Sequence, residues 1–274
     1  MTNLFTLLTL GRIDVSNRVV MAPMTRSRAD DAGNVGPLTA QYYAQRASAG
    51  LIISEGIFPS AMGKGYIRTP GIVSSAHVRA WRRVTDAVHA RGGRIFAQIM
   101  HCGRISDPSF LPGGASPIAP SAIQPRGASF TGEGMKPFIL PRAIETDEIA
   151  LVVDEYRQAT GRALAAGFDG VELHTASGYL PEQFLSSGTN QRTDAYGGSI
   201  ERRARFVLEV LAAMIEVAGA YRVGIKIAPE LGLNSVVDAT PVETYSHLTR
   251  EIAPLGLAYL HVADADPAGT YHRI

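Results

Sequence analysis

The feature that most constrains this chain is an alternation. Short runs of branched and aromatic apolar residues are separated by longer stretches with helical period. That order marks βαβ units, in which helices connect and cover the strands of a parallel sheet. Strands are expected near residues 18–21, 51–54, 94–99, 170–173, 223–227 and 259–262, and helices near 39–47, 76–91, 147–166, 200–217 and 242–252. The helix over 147–166 carries the clearest signals. Thr146 stands where an N-cap is wanted, Asp147 and Glu148 follow where the helix dipole favours acids, and Gly167 closes the helix. Ile149, Val152, Val153, Tyr156, Thr160 and Leu164 keep to one face of it.

The expected fold class is therefore α/β, with about six β/α units around a parallel sheet in the 274 residues, two short of the eight in a TIM (β/α)8-type barrel, the architecture that a single α/β domain of this length commonly takes. Six strands cannot close such a barrel without strands from elsewhere. The open edges at the first and sixth strands invite pairing, so homo-oligomerisation is one expected consequence. The 46% apolar content supplies one large core, and 1–274 is read as a single domain. With 26 basic against 25 acidic side chains, the charge of +1 provides no electrostatic reason to expect nucleic acid or a membrane surface. No run approaches the ~20 apolar residues of a membrane helix. The N-terminal MTNLFTLLTLGRIDVSN lacks the basic start of a signal peptide, so a cytoplasmic location is expected. The single cysteine, Cys102, rules out a disulfide framework or a cysteine-ligated cluster within the chain, and no metal site is expected. Residues 100–142 are rich in Pro, Gly and Ser without steady period and read as a long functional loop.

Chemistry-bearing residues gather at the ends of the expected strands, where barrel active sites sit. The fourth run ends in VELHTASGYL, which brings His174, Ser177 and Tyr179 to one strand end. An imidazole, a hydroxyl and a phenol there could supply a donor, a polar contact and a proton source. Taken singly, each such residue has a plainer reading. A lone histidine is more often a satisfied core residue, Thr25 in APMTR reads as a turn cap, and Gly56 after SE reads as turn chemistry. Gln98 in IFAQIMHCGR needs partners for a buried amide. Lys226 in VGIKIAP needs its charge compensated, by snorkelling or by an ion pair. A desolvated barrel lysine could also form a Schiff base, which leaves a lyase using Lys226 as a second enzyme class.

The loop after Tyr179 runs into TNQRTDAYGGSIERRARF, residues 189–206. This long, dense motif resembles the hallmark of the Old Yellow Enzyme family of FMN-dependent ene-reductases. The resemblance covers the chain but stops short of the family's last two β/α units. It implies a flavin-binding barrel, with FMN as cofactor and NAD(P)H as hydride donor, acting on a small-molecule substrate. By the resemblance, Pro23, Met24 and Thr25 lie under the flavin, with the Thr25 hydroxyl at its O4/N5 edge. Gly56 admits the ring, Gln98 meets its pyrimidine edge, and Lys226 takes the place of the family's usual Arg. His174 and Ser177 correspond to the pair that holds the substrate's activating oxygen, where the family has His with His or Asn. Tyr179 corresponds to the proton donor. Tyr66 and Met100 correspond to pocket residues, Met100 standing where the family often has Trp. His101 and Arg104 are expected to be structural, and the 189–206 motif a polar network that locks the loop carrying Tyr179. The resemblance also places the clamp for the FMN phosphate in the units beyond this chain. A third reading follows from that, an impaired or inactive barrel fragment that needs a partner chain.

Overall fold

The protein is described here by a computed structural model covering residues 3–229 and 231–263; the closing DADPAGTYHRI lies outside the described residues. The chain opens with strands β1 (Leu8–Leu10) and β2 (Ile13–Val15), paired as an antiparallel hairpin. Strand β3 (Val20–Met21), helix α1 (Pro37–Ala44), β4 (Leu51–Ile53), α2 (Ser75–His89) and β5 (Ile95–Ile99) follow. An excursion then carries β6 (Ile118–Ala119), β7 (Ala128–Thr131), β8 (Gly134–Pro137) and β9 (Arg142–Ala143). After it come α3 (Ile149–Ala165), β10 (Gly170–Thr175), α4 (Leu180–Leu185), α5 (Ile200–Ala218), β11 (Val223–Ile227), α6 (Pro241–Ile252) and β12 (Tyr259–Val262).

The expected parallel sheet is present as six strands in the order β12-β11-β10-β5-β4-β3, parallel throughout. It is a curled half-barrel. Leu10, Val20 and Ala22 from one end and Tyr259, His261 and Val262 from the other line the same cleft. The β1-β2 hairpin plugs the base of this concave face, where Val15 packs with Leu51, Ile53, Phe96 and Ala258. On the convex face Val171, Leu173, Ile225 and Ile227 share one continuous core with Tyr156, Phe206 and Val210 of the covering helices. Alternation along each strand sends one set of side chains outward to the helices and the other into the barrel.

Helix α2 shows how the sequence builds the outer layer. Ser74 caps it by accepting from the His77 amide, and His77, Ala80, Trp81, Val84, Thr85 and Val88 are its buried stripe. Trp81 is fully buried and packs against Phe168 with ring centroids 5.2 Å apart. At α3 the expectation fails locally. The helix begins at Ile149, with Glu148 at the N-cap position and no side-chain cap. The Thr146 hydroxyl donates instead to Asp194, 2.5 Å away, a tertiary partner that wins over the local amide. Gly167 does follow the helix with φ +89°, as its closing role requires.

Two further corrections concern the loops. The 100–142 segment is not structureless. It holds the antiparallel β7-β8 hairpin and the short parallel β6-β9 pair. Helix α4, read as part of a loop, forms directly after Tyr179 with Pro181 in its first turn.

Candidate active site

The parallel register arranges inward-facing polar residues in layers. Glu172 of β10 stands beside Gln98 of β5 and Gly224 of β11. One layer nearer the C-terminal end, His174 stands beside Lys226, which in turn stands beside His261 of β12. Glu172 is fully buried and both its oxygens are used: Oε1 accepts from Gln98 Nε2 at 2.7 Å, and Oε2 lies 2.9 Å from His261 Nδ1. Sequence reasoning missed Glu172 and His261. The signal for Glu172 was the alternation Glu172-x-His174 in an otherwise apolar strand, which puts those two side chains on the barrel face. Burial lowers the Lys226 pKa, partly countered by Glu172. His174 is held far below its ordinary value by burial, with Lys226 and His261 adding to the effect, so it is a neutral imidazole. Its Nδ1 is buried and makes no hydrogen bond within the protein.

At the mouth of this face His174 and Tyr179 meet edge to face, ring centroids 4.9 Å apart. Tyr179 and Tyr66 join through their hydroxyls at 2.9 Å. Met100 is buried in a small cluster with Cys102, Ile105 and Phe138 on which both tyrosines rest. Gly56 belongs to the same neighbourhood, but the close approach it permits is that of Met100: a Cβ at Gly56 would stand 2.6 Å from the Met100 sulfur. Ser177 is half-buried with φ +59°, and its carbonyl accepts from Asn234 Nδ2 at 2.7 Å. Sequence reasoning missed Asn234, a loop residue with no periodic or motif signal.

The turn carrying Pro23, Met24 and Thr25 continues from β3 on the same C-terminal side, with Thr25 exposed. It is pinned by the buried Glu55, whose Oε2 accepts from the Arg26 amide at 3.1 Å and whose Oε1 accepts from the Tyr43 hydroxyl at 3.3 Å. Burial raises the Glu55 pKa to about 7, so it holds its proton well above the usual carboxylate range. Arg104 is the structural residue expected, donating to the carbonyls of Ile123, Asn234 and Ser235 and so fastening the loop after β11 over the site. His101 accepts from the Gly103 amide at 3.0 Å and burial pushes its pKa to about 3. The 189–206 motif locks the end of α4: Thr189 donates to the Gln183 carbonyl, Asn190 to that of Phe184, and Arg203 to that of Leu185, each at 2.7 Å. Arg192 pairs with Asp194 and also donates to the Pro120 carbonyl at 3.0 Å.

Gln98 on β5 and Lys226 on β11, a buried amide and a half-buried cation, thus flank the β10 face that carries the unpartnered His174 nitrogen, and the exposed Thr25 hydroxyl follows β3 on the same C-terminal side. A flat heteroaromatic ring with acceptor atoms along its edge and a tendency to take up negative charge is the kind of group that fits them. Among the described residues, no helix is long and apolar enough to cross a membrane.

Comparison with known proteins bears on the identity of that group. A profile described as the NADH:flavin oxidoreductase / NADH oxidase family matches residues 3–272. Chanoclavine-I aldehyde reductase fgaOx3 of Penicillium roqueforti is 43% identical over 273 residues, covering 98% of this chain and 72% of that protein. A probable flavin mononucleotide-dependent alkene reductase of Leishmania infantum is 43% identical, covering 94% of this chain and 72% of that protein. Among solved structures, morphinone reductase in complex with tetrahydroNAD superposes with a TM-score of 0.93 at 50% identity, covering 96% of this chain and 74% of that one. The Old Yellow Enzyme homologue of Zymomonas mobilis has a TM-score of 0.95 at 40% identity, covering 98% and 76%. With its half-barrel, its layered polar face and these likenesses, the chain belongs to the NADH:flavin oxidoreductase / NADH oxidase family and is an FMN-dependent, NAD(P)H-linked oxidoreductase of the Old Yellow Enzyme kind.

Proposed function

We propose that this chain belongs to an enzyme reducing the C=C bond of activated alkenes, namely enones, enals, maleimides and nitro compounds, with 1–274 forming part of a single flavin-binding barrel domain. FMN, when bound, supplies the chemistry of accepting a hydride from NAD(P)H and passing it to the alkene. The protein's part is to hold the ring, polarise the substrate and deliver a proton. Thr25 and Gln98 would hold the ring edge through hydrogen bonds. Lys226 would place a positive charge beside it, as a point charge without the bidentate fork of an arginine.

The observation that carries this reading is the pairing of a neutral, buried His174 with Tyr179 at ring centroids 4.9 Å apart. A neutral imidazole can donate an N–H to a carbonyl or nitro oxygen and stabilise the negative charge that grows there, without bringing in a full charge. The Ser177 hydroxyl is the second donor, shorter than the Asn or His the family favours. Tyr179 delivers its proton to the carbon next to the activating group.

The test is the rate at which an enone reoxidises the NADPH-reduced, FMN-loaded protein. Tyr179→Phe should slow that step by ~10²-fold, within the span of general acid catalysis. His174→Ala should weaken enone binding and slow the step further, while flavin reduction by NADPH continues. Unchanged reoxidation in Tyr179→Phe would remove the proton-donor role.

A further inference from the structure

The reading above, on which this inference rests, sets the Gln98 amide against an edge of the flavin ring. The pyrimidine edge of FMN carries an N–H at N3 beside a carbonyl at C2. An amide serves that edge only with its oxygen toward N3 and its nitrogen toward the carbonyl. Turned over, it sets acceptor against acceptor and donor against donor, and both contacts are lost. The direction of the Gln98 amide therefore matters as much as its position.

Nothing in β5 itself selects that direction. The Gln98 backbone is fixed on the β4 side, its amide donating to Ser54 Oγ at 3.0 Å and its carbonyl accepting from the Ile57 amide at 2.8 Å. The last torsion of a glutamine is nevertheless broad and nearly two-fold, and the two ends of the amide have almost the same shape. Hydrogen bonding has to choose between them.

Glu172 makes that choice. Its Oε1 lies 2.7 Å from Gln98 Nε2, and its Oε2 lies 2.9 Å from His261 Nδ1. The proton of the second contact sits on Oε2 or on Nδ1, which leaves Oε1 to accept. An oxygen that accepts draws the nitrogen end of the amide and repels the oxygen end at that distance. Glu172 is fully buried, so bulk water does not compete for the bond. The contact with His261 crosses β11, where Gly224 stands beside Glu172 and puts no side chain in the way. A Cβ at Gly224 would stand 2.4 Å from the Tyr259 ring, so that crossing needs glycine. Nε2 of Gln98 has two hydrogens and gives one to Glu172. The other, with the amide oxygen, is left for a ligand.

We propose that Glu172 is a positioning residue that fixes the direction of the Gln98 amide, so that its oxygen and its remaining N–H meet the N3–H and C2 carbonyl of the flavin. His261 holds Glu172 from the far side of β11.

Two experiments on the full chain test this. Neutron diffraction from deuterium-exchanged crystals of the wild-type protein should find both amide deuterons of Gln98 on the atom that faces Glu172. An amide with its oxygen toward Glu172 overturns the proposal, and this measurement needs no variant. Fluorescence titration with FMN and with N3-methyl-FMN, which lacks the N3 hydrogen, reads the consequence. The wild type should prefer FMN by about tenfold, the scale of one hydrogen bond. Glu172→Met keeps the length of the side chain without the carboxylate and should bring the preference within about threefold. In a Gln98→Ala background the same change should alter the preference by less than about twofold, because the effect runs through Gln98. A preference kept in Glu172→Met, or an equal change in both backgrounds, refutes the proposal and leaves the reading above intact. Equal binding of the two flavins by the wild type would instead show that the ring edge does not lie at Gln98, and the proposal would fall with that placement.

Discussion

Replacing Glu182 by glutamine probes how the Ser177–Tyr179 turn is held. Glu182 is 5% exposed, on the first turn of α4. Its Oε2 accepts from the Gly178 amide at 2.5 Å and its Oε1 from the Tyr245 hydroxyl at 2.9 Å, so the carboxyl ties the turn to α6. Burial outweighs both bonds and raises its pKa from 4.5 to about 7. In the folded state the group therefore keeps a proton that the unfolded chain gives up above about 4.5. Between those values the native state binds more protons, so its stability falls as pH rises, and the full cost is reached above 7. At ~1.4 kcal/mol per pH unit, the interval from 4.5 to about 7 corresponds to about 3 kcal/mol. Glutamine keeps the shape, offers an oxygen to the Gly178 amide, and carries no charge. Glu182→Gln should therefore be near neutral in stability at about pH 5 and stabilising by about 2–3 kcal/mol at about pH 8.5. Urea unfolding of both proteins at the two pH values measures this. A difference that does not change with pH, or one that favours the wild type more at high pH, would show that the carboxylate is charged and satisfied in the fold and would refute the reasoning.

Other outcomes follow from the same geometry. Gly170→Ala should cost about 3 kcal/mol or more in urea unfolding, because its Cβ would stand 2.5 Å from the Arg222 carbonyl oxygen and 2.4 Å from Phe96, both in the central sheet region. Trp81→Ala should cost about 3–5 kcal/mol by the same measurement, the side chain being fully buried. Lys226→Gln should weaken FMN binding about tenfold in a fluorescence titration by removing the cation from the barrel face, and Lys226→Arg should restore it or better. His101 should contribute with the opposite sign to Glu182, its share of the stability being lost as pH falls below 6.5, since the buried imidazole resists protonation down to about 3 while the unfolded chain does not. His101→Asn should flatten that limb of the pH curve.

The order of strands and helices was legible in the sequence because it is encoded locally. Apolar runs of strand length and stripes such as Ala80, Trp81, Val84 and Val88 reveal a parallel sheet and its covering layer without tertiary knowledge. That His174, Ser177 and Tyr179 gather at one strand end was legible for the same reason, and the 189–206 motif announced the family. What the sequence could not determine were choices settled by contacts between distant segments. Thr146 leaves its helix for Asp194, the 100–142 excursion folds into paired strands, and Gly56 makes room for Met100. The layer that joins Gln98, Glu172 and His261 depends on strand register, which only the assembled sheet sets. Asn234 lies 57 residues from Ser177 in the chain, and only the folding of the loop after β11 under the Arg104 clamp brings its amide to the turn. Periodicity and motif read local preference, whereas the partner of a polar group is decided by which segments the packed core brings within hydrogen-bonding distance.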